Sequence, residues 1–298
     1  ATNHLANFAG SETFTITMAK LLKRCGHKVH VYTLNKGEAA DEIPDMIVEQ
    51  PDDKYDLQII SHNTMLEALK DVTGFKISVC HGKFPKLEQP VTGANKYVAI
   101  SEEVQEYLKE QGFESTVIRN PIDMKRFLPR RALRKENPRI LCLAKGRDAV
   151  QLVEEAVGQE NFRHVQGLPN IEDYINDADM VVSLGRGAME ALACGRQVIV
   201  YDARTYMTEQ ASDGLITPDN IEELMKCNFS TRRYKEPMTV EKMRELVAQY
   251  DPESWGVNRA LAQKYFDGKK IVNQYLSLYD GHRENHDPDR GGYYSDYA

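Results

Sequence analysis

A doubly wound α/β architecture, with parallel sheets covered by helices on both faces, is the fold class this sequence predicts. Three observations carry it. Short apolar runs of strand length alternate with segments of helical periodicity. The alternation stops at a proline- and arginine-rich stretch near residue 123 and restarts near residue 140. Met180 to Asp202, MVVSLGRGAMEALACGRQVIVYD, reads as strand 180–183, a glycine-bracketed turn Gly185-Arg186-Gly187, helix 188–194 and strand 197–201.

In chain order, residues 7–11 form a turn. Phe14, Met18, Leu21, Leu22 and Cys25 then share one face of a helix that Gly26 stops. The β-rich run 29–32 follows. The pattern continues as strand 57–61, helix 63–72, strands 76–80 and 97–100, helix 102–111 and strand 116–119. Ser101 is placed to cap the last of these helices, and Glu102 and Glu103 suit its positive first turn. Ligands bind such sheets beyond the C-terminal ends of strands, where Gly10, Ser11, His81 and Gly82 fall. A doubly wound sheet opens on a strand, yet the first loop begins almost at residue 1. The expectation is a strand stub at Ala1-Thr2 or a strand carried by a preceding segment.

Residues 124–138, MKRFLPRRALRKENP, change the composition. Lys125, Arg126, Arg130, Arg131, Arg134 and Lys135 would suit a peripheral contact with an anionic membrane surface. The prolines interrupt any long amphipathic helix, which favours a solvated linker. The second half then repeats the alternation: strand 140–143, helix 149–157, strand 163–165, helix 171–176, the glycine-bracketed unit, strand 214–216 and helix 221–226. A helical pattern over 251–278 breaks near Gly268. The expected division is residues 1–123, the linker 124–138, residues 139–250, bracing helices 251–280 and a disordered tail 281–298.

The 298 residues suffice for two domains of about 150 each. With 41% hydrophobic and 28% charged residues the composition is that of a soluble globular protein. A net charge of −7 argues against general nucleic-acid binding. No apolar run approaches the roughly 18 residues of a membrane span, and the first residues lack a signal-peptide pattern. The five cysteines are scattered, form no C-x-x-C pair and read as reduced thiols of a cytoplasmic protein.

Chemistry concentrates at two strand-to-helix junctions. A glycine turn into a helix leaves amide groups unpaired, and with the helix dipole these suit a phosphate at Gly187 and Ala188. Glu190 lies where a carboxylate reaches ribose hydroxyls or simply favours the helix start. Lys145 and Arg147 bracket Gly146 and repel each other unless an anion lies between them. Arg186 reads as a solvated loop tip or a contact to phosphate or sugar. His4, His62 and His164 show no ligand-like spacing and read as structural or exposed, and no metal motif appears.

In order and spacing, several segments resemble the GT-B glycosyltransferases, in particular the retaining group 1 type, glycosyltransferase family 4. AGSETFTITMAKLLKRCGHKVHVYT is similar to the family's opening glycine loop, helix and strand. VAISEEVQEYLKEQGF with TVIRNPIDMKRF, VQGLPNIEDYINDADMVVS with EALACGRQVIVYD, and GLITPDNIEEL follow in family order. The resemblance implies two Rossmann-like doubly wound domains facing a central cleft. The first would be the acceptor side and the second the nucleotide-sugar side. It implies transfer of a sugar from a nucleoside diphosphate donor to an acceptor hydroxyl, with retention and without a metal or other cofactor. It places Gly10 and Ser11 near the donor phosphates, His81 beside the transferred sugar, Lys145 and Arg147 on the diphosphate, and Glu190 on the ribose. The chain departs from the family where Val182 replaces the first glutamate of E-x7-E, where Pro121 replaces a glycine, and where the basic pair is closer than usual. Those departures are what a non-catalytic GT-B subunit, binding a nucleotide or a partner, would show. A nucleotide-sugar epimerase is a third reading.

Overall fold

The computed structural model describes residues 1–203 and 211–286. In the first half, β1 (Thr2–Leu5), β2 (Val31–Lys36) and β3 (Ile47–Val48) form one parallel ladder. β4 (Lys54–Ser61), β5 (Thr73–Cys80), β6 (Lys96–Ala99) and β7 (Ser115–Val117) form another. The two ladders meet at Ala1, whose nitrogen donates to Ile59 O at 2.6 Å and whose carbonyl accepts from Ser61 N at 2.9 Å. The strands therefore run β3-β2-β1-β4-β5-β6-β7, and the order reverses between β1 and β4. The opening strand is Thr2–Leu5 itself, longer than a stub at Ala1-Thr2.

Helices α1 (Gly10–Arg24), α2 (Asn63–Ala68) and α3 (Glu102–Glu110) connect these strands. α1 buries Phe14, Met18 and Leu21 against Phe75, Ile77 and Val79 of β5, the face its spacing predicts. α3 starts at Ser101, whose Oγ accepts the Val104 amide at 3.4 Å. α2 ends at Ala68, short of the expected residue 72, and β2 begins two residues later than expected.

The second half contains β8 (Ile140–Cys142), α4 (Arg147–Val157), β9 (Phe162–His164), α5 (Ile171–Asp177), β10 (Met180–Ser183), α6 (Gly185–Ala193), β11 (Gln197–Asp202), β12 (Ala211–Leu215), α7 (Ile221–Met225), β13 (Glu236–Pro237) and α8 (Val240–Val247). The sheet order is β13-β12-β11-β10-β8-β9. The ladder from β9 to β11 is parallel, and its middle strands are apolar runs buried on both faces, with Met180, Val181 and Val182 wholly enclosed. β12 and β13 pair antiparallel, so this sheet is not uniformly parallel. The order here reverses between β8 and β10.

The last helices are α9 (Trp255–Tyr265) and α10 (Gly268–His286). Ala262 and Phe266 at the end of α9 join the core around α6, whereas Ile271, Val272 and Tyr275 of α10 join the core around α1. Between them Ile122 N donates to Phe266 O at 2.8 Å and Gly268 N to Ile122 O at 3.0 Å. A side chain at 268 would collide with Leu21 and with the Ile122 carbonyl, which is why the break falls on a glycine. α10 continues six residues beyond the expected limit of 280, and residues 287–298 of the expected tail lie outside the described residues. No helix among the described residues is long and apolar enough to cross a membrane.

The linker's arginines pair with acidic residues of the same chain. Arg126 bonds Glu172 at 2.8 Å, Arg130 pairs with Asp173, and Arg131 donates to Asp179 at 2.7 Å and to the carbonyls of Asp177 and Ala178. These pairings dock the linker on α5 and the start of β10, so much of its charge is matched within the chain.

Candidate active site

The two reversals of strand order are the crevices in which doubly wound sheets hold ligands. At the first, Gly10 and Ser11 open α1 just after β1, and His62 follows β4. At the second, Lys145 and Arg147 follow β8, and the α6 start follows the adjacent strand β10. Of the residues expected to touch a donor, Gly10, Ser11, Lys145, Arg147 and the α6 start lie at the ends of these strands, whereas His81 follows β5.

Lys145 and Arg147 are exposed, and Arg147 is the first residue of α4. Gly146 between them has φ +110°, and a Cβ there would lie 2.6 Å from Ala203 O. Only glycine meets both demands, and the tight approach fixes the basic loop against the end of β11. At the second junction the helix begins earlier than the glycine pattern suggests. α6 starts at Gly185, so Arg186 and Gly187 are helical and Glu190 sits in the second turn, not the first. Gly187 serves close packing: a Cβ would stand 2.4 Å from Ser183 Oγ. The Gly185 amide already donates to Phe229 O at 3.0 Å, and no side chain caps the helix at Leu184. Ala188 is wholly buried in the core, so its part in a phosphate grip is limited to its amide.

Arg186 is not a loop tip. It is 9% exposed, and its Nε donates to Glu190 Oε1 at 2.8 Å, Nη1 to Pro121 O at 2.9 Å and Nη2 to Thr17 Oγ1 at 2.6 Å. It therefore ties α6 to α1 across the two halves, and its donors face protein acceptors where a sugar contact was expected. Glu190 is buried with it. Burial raises the Glu190 carboxyl and lowers the Arg186 guanidinium, and each partner's charge opposes the shift of the other.

His81 follows β5. Its Nε2 lies 3.0 Å from Ser61 Oγ, its ring meets Phe14 edge-on at 4.7 Å, and its amide donates to Glu88 Oε2 at 2.7 Å. Burial, then the nearby His62 and Arg186, lower it to about 3, so the ring is neutral at physiological pH. Ser11 donates to Glu12 Oε2 at 2.9 Å, while Gly10 is exposed.

Four titratable residues beside these were not legible as site residues. Glu12 pairs with His4 at 3.0 Å, and His4 stacks on His62 with ring centroids 5.0 Å apart. His62 Nε2 lies 3.5 Å from Glu88 Oε1. His62 is buried, as a structural histidine would be, and has φ +76°. Burial raises Glu88 to about 8. An unfolded glutamate releases its proton near 4.5, so between about 4.5 and 8 the folded chain binds more protons and its stability falls as pH rises. Melting curves should show the parent losing stability relative to Glu88→Gln across that window. A constant difference from pH 4.5 to 8 would contradict the shift.

No protein-family model matches the chain, and no curated protein matches it in sequence. Solved structures do share its fold. Anabaena HepE in complex with UDP-glucose aligns over 94% of this chain and 98% of its own, with TM-score 0.65 and 12% identity. A glycosyltransferase from Rickettsia africae aligns over 95% and 98%, with TM-score 0.64 and 14% identity. AviGT4, a glycosyltransferase involved in avilamycin A biosynthesis, aligns over 94% and 97%, with TM-score 0.53 and 14% identity. The chain has the GT-B fold of these glycosyltransferases, with two Rossmann-like units.

Proposed function

We propose that the protein transfers a sugar from a nucleoside diphosphate donor to an acceptor hydroxyl. The observation that supports this most is that an exposed basic loop, Lys145-Gly146-Arg147, and the start of α6, which no side chain caps, follow two paired strands at one strand-order reversal. HepE, which has the same fold, is solved with UDP-glucose. In this reading the diphosphate lies between Lys145 and Arg147 and over the amides of Gly187 and Ala188. Gly10 and Ser11 approach it from the other half. Fixed cations and amides stabilise the leaving group's growing charge without a metal.

Glu190 keeps one carboxylate oxygen on Arg186 and turns the other to the ribose. A neutral His81 does not repel the positive charge that develops on the transferred sugar, which a protonated ring would. In the retaining course that the resemblance implies, the acceptor attacks the face the phosphate leaves, and the departing phosphate accepts the acceptor's proton. The units 1–123 and 139–250 serve acceptor and donor, and the helices after residue 250 brace both. The non-catalytic reading draws on Arg186 and Glu190, which satisfy each other within the protein, and on Val182, buried where the family has a glutamate.

Incubation with UDP-glucose and other nucleotide-sugars, with an assay for freed nucleoside diphosphate, separates the readings. Release of diphosphate is expected. Binding without release favours the non-catalytic subunit, and neither binding nor release contradicts the transferase and leaves of the non-catalytic reading only its partner-binding form.

A further inference from the structure

We infer that Glu88 is a positioning residue for His81, reaching back across its own loop to hold the His81 amide while Ser61 holds the ring. The inference rests on the proposed role of His81 beside the transferred sugar.

The loop from His81 to Gln89 leaves β5 and folds onto itself. Cys80 Sγ donates to the carbonyls of Gly82 at 3.4 Å and Glu88 at 3.3 Å, and Gln89 Nε2 donates to the carbonyls of Lys83 and Pro85. Asn63 Nδ2 ties the loop to α2 through Lys86 O and Gln89 O. These bonds place the Glu88 carboxyl, 8% exposed, beneath the first residue of the loop. Its Oε2 accepts the His81 amide at 2.7 Å, the shortest hydrogen bond His81 makes among those of the described residues. An acceptor at that point fixes the backbone from which the imidazole projects, and Ser61 Oγ at 3.0 Å from Nε2 fixes the ring's rotation.

The polar chain does not stop there. Glu88 Oε1 faces His62, His62 stacks on His4, and His4 pairs with Glu12, whose second oxygen takes the Ser11 hydroxyl. One polar chain, buried at Glu88, His62 and Glu12, therefore runs from the His81 loop to the start of α1, and the two donor-facing loops of the first half share a frame. The groups facing Glu88 that carry or lose charge are His62, beside it, and Glu12, whose charge raises its pKa. His81 itself also feels Arg186 from α6.

A carboxyl that accepts an amide proton moves that proton's NMR frequency when it ionises. The His81 amide, assigned by its loss in His81→Asn, should shift with pH in the unaltered protein, and the shift should vanish in Glu88→Gln. Gln keeps an acceptor, so kcat for nucleotide-sugar turnover should stay within about twofold of the parent. Glu88→Leu removes the acceptor at similar volume. It should move the His81 ring signals and lower kcat by about 10- to 100-fold, with KM changed far less. An amide frequency that ignores Glu88, or parent-like His81 ring signals in a folded Glu88→Leu, overturns the assignment. If the parent turns over no nucleotide-sugar, the proposed function fails, and the amide titration still decides whether Glu88 holds His81.

Discussion

Asp179→Ala is expected to destabilise the protein by about 3–5 kcal/mol, more than loss of any one arginine that faces it. Asp179 is wholly buried at the entry to β10. Its Oδ1 accepts from Arg131 Nη1 at 2.7 Å and from the Arg134 amide at 3.1 Å, and its Oδ2 accepts from the Arg139 amide at 2.9 Å. Alanine leaves two backbone amides and a guanidinium without their acceptor, and undocks the linker where it enters the second half. Arg131→Ala leaves the buried carboxylate on the Arg134 and Arg139 amides with the Arg134 guanidinium 3.9 Å away, so it should cost less, about 1.5–3 kcal/mol. Asp179→Asn, which keeps one acceptor oxygen, should fall between. Urea midpoints with unchanged slopes measure the series. An Asp179→Ala midpoint within about 1 kcal/mol of the parent would show that the linker is held by other contacts.

The Arg186–Glu190 pair should behave differently. Either single truncation strands a buried charge, so Arg186→Met and Glu190→Ala should each cost about 3–5 kcal/mol. The double variant Arg186→Met/Glu190→Leu removes both charges and should be less damaging than the sum of the singles. Arg186 also donates to Thr17 and Pro121, so its loss should loosen α6 from α1 and speed amide hydrogen exchange in the first turns of both helices. Strictly additive losses, with exchange unchanged, would mean that the pair neither compensates its own burial nor joins the halves.

The periodicities that set the fold are local, and they were legible. Phe14, Met18 and Leu21 bury as their spacing requires, and the apolar runs at β10 and β11 lie where the sequence puts them. The exposed position of Lys145 and Arg147 at a strand-to-helix junction was also legible, because cations flanking a glycine at a strand end owe little to distant residues. The α6 start was misread because GRG looks like a turn, whereas Gly187 is glycine to let the helix pack on Ser183. With Arg186 assigned to a turn, its i,i+4 spacing to Glu190, a readable signal for an ion pair, went unused. The pairing of the linker arginines joins residues more than 40 apart, as do the bonds of His62 to Thr2 and Asn3. No local pattern carries such contacts. β1 was legible only as one of two alternatives, a stub at Ala1-Thr2, because its four residues, TNHL, lack the apolar run that marks a buried strand.

The donor site is tested most directly by calorimetric titration of UDP and uridine into the parent and into Lys145→Ala/Arg147→Ala. Both side chains are exposed, so the double variant should stay folded, which a melting curve checks. Each charge-assisted contact is worth about 1.5–3 kcal/mol, so UDP affinity should drop by at least about 100-fold in the double variant, with uridine binding unchanged. Equal UDP affinity in the parent and the double variant would contradict a diphosphate held between Lys145, Arg147 and the start of α6.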